Sequence, residues 1–89
     1  MKEETLEQFR YRMMVRGYMN KSELARFMEC GMTTARKAWD AMRKDAKLSG
    51  LENLGGAILT RRAMKYTGLT EDAITTAYER QKKETAQQS

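Results

Sequence analysis

The chain has 89 residues and a mass of 10.3 kDa, with 40% apolar and 33% charged residues. That size and balance suit one small folded domain with a single core and argue against wholesale disorder. Histidine is absent and Cys30 stands alone, which excludes zinc sites, intramolecular disulfides and His-dependent catalysis. No uncharged run approaches the roughly 20 residues of a membrane span. Met1-Lys2-Glu3-Glu4 lacks the apolar core of a secretion signal. With eight methionines and no proline, a mostly helical, cytoplasmic protein is expected.

Leu6, Phe9 and Met13 fall at i, i+3 and i+7, predicting an amphipathic helix over about 3–16. Glu3, Glu4 and Glu7 favour the positive end of its dipole, and Gly17 is a left-handed stop. Asn20 with Glu23 reads as a capping pair. It opens a short helix from Lys21 to about Glu29 with Leu24, Ala25 and Met28 on its inner face, broken at Cys30-Gly31. A further helix over about 33–44 buries Ala35, Ala38, Trp39 and Met42. It turns Thr34, Arg36, Lys37, Asp40, Arg43 and Lys44 outward, with Thr33 in its first turn. Cys30 and the methionines read as core filler. Tyr11 and Tyr18 suit either a core position or a surface contact.

Two short runs, about 51–54 and 57–59, flank Gly55-Gly56, and such a glycine pair supplies the positive φ values of a two-residue hairpin. Thr60 is placed to cap a helix over 61–67 that Gly68 ends, with Ala63, Met64 and Tyr66 as candidate core residues. Thr70, Glu71 and Asp72 start a last helix with Ala73, Ile74, Ala77 and Tyr78 on its stripe. The domain is expected to span residues 1–83, with 84–89 a polar, frayed tail.

The net charge is +5, and it is not spread evenly. Residues 1–20 carry +1, 21–35 carry zero, 66–89 carry −1, and 36–65 carry the entire +5. A basic patch attracts polyanions, because each neutralised phosphate releases counterions. A plain solvated face is the alternative. Ala25 gives a first helix the small residue that a second helix needs where it crosses closely. Gly31 supplies a flexible turn, and Ala35, Ala38 and Trp39 face the first helix, leaving a basic, hydroxyl-bearing face free for phosphates and base edges.

This segment resembles the helix-turn-helix of DNA-binding proteins. Glu29 stands where that family usually has glycine, and Gly31 falls two residues later, at the capping position. The continuation through a Gly-Gly hairpin into Thr60-Arg61-Arg62-Ala63-Met64 resembles a winged helix-turn-helix over about residues 19–69. More narrowly, it is similar to the small excisionases, or recombination directionality factors, of phages and integrative elements, whose fold is related to that of the mercury-regulator family. The resemblance implies a mainly α fold with a short two-stranded β-hairpin and additional N- and C-terminal helices.

It further implies double-stranded DNA as partner. The helix over about 33–44, with Thr33, Thr34, Arg36, Lys37 and Asp40, would enter the major groove, and the hairpin over about 51–59, with Glu52, Asn53, Gly55 and Gly56, would serve as wing. Arg43, Lys44, Lys47, Arg61, Arg62 and Lys65 would hold phosphates. The role would be that of an excisionase that steers a site-specific integrase, or of a transcriptional regulator of a mobile element. The chain would act as a monomer binding cooperatively or as a weak dimer. The other class of reading is a winged-helix interaction module whose basic face docks an acidic partner or blocks a nucleic-acid enzyme. No catalytic set, metal site or cofactor motif emerges, and no enzyme is expected. Gly55-Gly56 lacks the Gly-Lys-Ser/Thr that a phosphate-cradling loop requires.

Overall fold

A computed structural model describes residues 4–44 and 56–88, apart from the side chains of 85–88. In chain order the elements are α1 (Leu6–Arg16), β1 (Tyr18–Met19), α2 (Lys21–Met28), α3 (Met32–Lys44), β2 (Ile58–Leu59), α4 (Thr60–Thr67) and α5 (Glu71–Gln88). The protein is mainly helical, with a small antiparallel sheet in which Tyr18 pairs with Leu59 and Met19 with Ile58.

Local chemistry sets most of the boundaries. Thr5 caps α1 in a reciprocal box with Gln8, and Gly17 ends it in the left-handed region at φ 90°. Asn20 caps α2 in the box expected with Glu23. Gly68 ends α4 at φ 83°. Thr70 Oγ1 accepts the Ala73 N–H at the start of α5, and α5 continues through Gln88.

The core gathers Phe9 and Met13 of α1, Met19 of β1, Leu24 and Phe27 of α2, Ala38, Trp39 and Met42 of α3, Ile58 of β2, Ala63 and Met64 of α4 and Ile74 of α5. α3 packs on α2 and α4, while α5 packs on α1. Ala35 is fully buried and Ala25 nearly so. The small side chains let α2 and α3 approach closely, as their spacing requires.

Several details differ from expectation. The strand expected at 57–59 is present as Ile58–Leu59, but its observed partner is Tyr18–Met19, a segment too short to show any period-2 pattern. The other expected strand, 51–54, lies outside the described residues. Thr60 does not cap α4; Leu59 occupies the cap position without a side-chain bond, and Thr60 is the first helical residue. Its buried hydroxyl donates to Met13 O at 2.9 Å and its N–H donates to Gly17 O at 2.9 Å, tying α4 to the end of α1. Phe27 is fully buried, although the inner face of α2 was expected to be Leu24, Ala25 and Met28. The reason is that α1 packs on α2 as well as α3 does, and this turns Phe27 inward. Tyr66 and Ala73 are exposed, and Cys30 is only half-buried. Glu4 lies ahead of α1 and pairs with Arg12 and Arg26, and Glu7 is the acid in the first turn of α1.

Candidate nucleic-acid interface

The connection between α2 and α3 sets how α3 is presented. α2 closes in a Schellman motif: Cys30 N–H donates to Ala25 O at 3.0 Å, and Glu29 N–H to Arg26 O at 3.1 Å. The motif needs a left-handed residue, and Glu29 supplies it at φ 55°, ψ 50°, the only non-glycine residue with positive φ among those described. A side chain in that region costs about 1 kcal/mol. Gly31, from which flexibility was expected, has no positive φ. Its carbonyl accepts the Ala35 N–H at 3.0 Å, which places it at the N-cap of α3.

α3 then buries Ala35, Ala38, Trp39 and Met42. At about 100° per residue, the direction opposite that stripe is occupied by Thr33, Lys37, Asp40 and Lys44, with Arg36 and Arg43 along one flank and Thr34 along the other. Thr33, Thr34, Arg36, Lys37, Asp40 and Lys44 are all exposed, so the neighbouring helices leave this face open. Arg43 is half-buried. Its Nη1 donates to Ala57 O at 3.2 Å, and its guanidinium lies 5.8 Å from the centre of the Trp39 ring. It therefore joins the end of α3 to the chain entering β2. Lys21 was not singled out from the sequence; its ammonium lies 5.6 Å from the same Trp39 ring.

On α4, Arg61 and Lys65 are exposed one turn apart, and Arg62 is half-buried. Gly56 is exposed just ahead of β2. Lys47, Glu52, Asn53 and Gly55 lie outside the described residues, as does any pairing of Glu52 with Arg61 or Arg62.

The arginines of α1 and α2 are held differently. Arg10 Nε donates to Phe27 O at 2.9 Å. Arg12 makes a two-pronged bond to Glu4 at 2.7 and 2.8 Å, and Arg26 donates to Glu4 O at 3.0 Å while its guanidinium covers the Phe9 ring at 4.3 Å. Arg16 bonds Glu23 and the Tyr18 carbonyl and lies over the Tyr18 ring. The hydrogen bond from Arg16 holds the Glu23 carboxyl below the usual carboxylate range, and the bond from Arg12 does the same for Glu4. By contrast, the side chains of Arg36, Lys37, Lys44, Arg61 and Lys65 make no ion pair or hydrogen bond with any described residue. Tyr11 stacks on Tyr78 with ring centres 4.1 Å apart, which joins α1 to α5, whereas Tyr18 is exposed beneath Arg16.

Among the described residues no group of three or more Cys, Asp or Glu side chains is placed to hold a metal ion, and no helix is long and apolar enough to cross a membrane. Compared with protein families, with curated proteins and with solved structures, the chain finds no match.

Proposed function

We propose that this protein binds double-stranded DNA as a winged helix-turn-helix of mobile-element type. In this reading α2 and α3 form the helix-turn-helix, α3 lies in the major groove, and the segment around 51–59 is the wing. The observation that carries the reading is the open face of α3. It presents Arg36, Lys37 and Lys44 without partners among the described residues, while all four arginines of α1 and α2 are tied to acids or carbonyls. Thr33 and Thr34 add hydroxyl donors at the start of that face.

Two further features support the wing. The Arg43 bond to Ala57 fixes the start of the expected second wing strand against the end of α3. Arg61 follows directly in the first turn of α4, where a cation is disfavoured by a few tenths of a kcal/mol. A phosphate at that point offsets the penalty. The fitting role is that of an excisionase partnering a site-specific integrase, or of a regulator on the same element.

A salt titration tests the proposal. Binding to duplex DNA should weaken with salt at a slope of about −0.9 in log K against log salt for each phosphate neutralised. A slope near zero, or equal affinity for every duplex tested, would refute it.

A further inference from the structure

The outer face of α3 carries one acid. Asp40 has Arg36 and Lys37 one turn before it and Arg43 and Lys44 one turn after it, all at the i±3 and i±4 spacings where helix ion pairs form. It pairs with none of them: Asp40 is exposed, and its carboxylate bonds no described residue. Pairing of Asp40 therefore does not explain its presence there, nor does it silence the surrounding cations. Asp40 also lies on the line of Thr33, Lys37 and Lys44, directly opposite the buried stripe. A side chain at that position meets the floor of a groove rather than its walls.

A carboxylate at the centre of a DNA-binding face is repelled by phosphate and by every acceptor on the base edges. The donors that the major groove offers it are the exocyclic amines of cytosine and adenine. Adenine sets the N7 acceptor beside its amine, which opposes a carboxylate. Cytosine presents N4–H₂ with no acceptor of its own alongside. Resting on the DNA-binding reading above, we propose that Asp40 is the specificity-determining residue of α3: its carboxylate accepts a hydrogen bond from the N4 amine of one cytosine, while Lys37 and Lys44 on either side supply affinity.

The test is selection from a pool of random DNA duplexes by the full-length protein and by its Asp40→Ala, Asp40→Asn and Lys44→Ala variants, with circular dichroism melts to show that each remains folded. The wild type should select a site containing a fixed C·G pair. Asp40→Ala should lose the preference at that pair alone, by about 10-fold. Asp40→Asn, which can donate as well as accept, should change which base is chosen there. Lys44→Ala should weaken binding to all sequences and leave the selected site unchanged. If Asp40→Ala changes affinity but selects the same site as the wild type, Asp40 acts only through its charge and the proposal is overturned while DNA binding stands. If the fixed position is an A·T pair, cytosine is the wrong base and the proposal is likewise overturned. A wild type that binds no duplex overturns both readings together.

Discussion

The cations of α1 and α2 and the exposed cations of α3 and α4 carry the same charge and are held differently. In the first pair of helices each arginine has a fixed partner. Arg12 and Arg26 share Glu4, Arg16 holds Glu23, and Arg10 holds the Phe27 carbonyl. These guanidiniums also cover the aromatic rings of Phe9, Tyr18 and Phe27 at 4.3 to 5.7 Å, so their planar heads act as part of the packing. On α3 and α4 the exposed cations Arg36, Lys37, Lys44, Arg61 and Lys65 hold no described partner, even where Asp40 lies one turn away from three of them. Total charge is thus a poor guide to a binding face. What distinguishes the two regions is whether the charge is already spent inside the molecule.

That contrast can be broken from either side. The largest effect is expected in the first region, where Phe27→Ala empties the fully buried site between α1 and α2. It should cost about 3–5 kcal/mol, read from the urea midpoint, and a loss under 1 kcal/mol would mean that Phe27 is not a joint between these helices. In the second region, Arg36→Ala with Lys37→Ala should reduce the salt slope of DNA binding by about 0.9 per residue. Stability should stay within about 0.5 kcal/mol of the parent, and a large drop in melting temperature would show that these side chains are structural after all.

Smaller effects sharpen the division. Glu29→Gly relieves the left-handed turn between the regions and should stabilise the fold by about 1 kcal/mol, with DNA affinity unchanged. A destabilised variant would show that the Glu29 side chain does more than occupy the turn. Glu23→Gln keeps the cap on α2, since glutamine also serves at that position, but removes the charge facing Arg16. It should cost less than about 1 kcal/mol at neutral pH and leave DNA binding intact. Acid then separates the variants. Glu4 and Glu23 have lowered native pKa values, so their contribution is fully present above the ordinary carboxylate value of 4.5 and is lost as pH falls through the lowered ones. The parent's melting temperature should fall between about pH 5 and pH 3, and Glu23→Gln should show a shallower fall. Equal slopes would remove Glu23 from that account.

The elements legible in the sequence are those whose causes are local. Gly17 and Gly68 end helices because the left-handed region is open to glycine, and Asn20 with Glu23 closes a cap over three residues. The stripe Ala35, Ala38, Trp39 and Met42 faces inward because helical spacing alone puts the four on one side. From that stripe the exposed positions of Arg36, Lys37, Asp40 and Lys44 follow as well.

What only the tertiary structure decided depends on neighbours distant in the chain. Tyr18–Met19 is a strand because Ile58–Leu59 arrives beside it, and two residues carry no periodicity of their own. Thr60 is a buried tie and not a cap because the carbonyls of Met13 and Gly17 lie within its reach. Glu29 takes up the left-handed turn, at a local cost, because packing α3 across Ala25 outweighs it. Above all, sequence placed an excess of charge at residues 36–65 without saying which cations were free. Freedom is a statement about the surroundings of a side chain, and those surroundings exist only once the helices have packed.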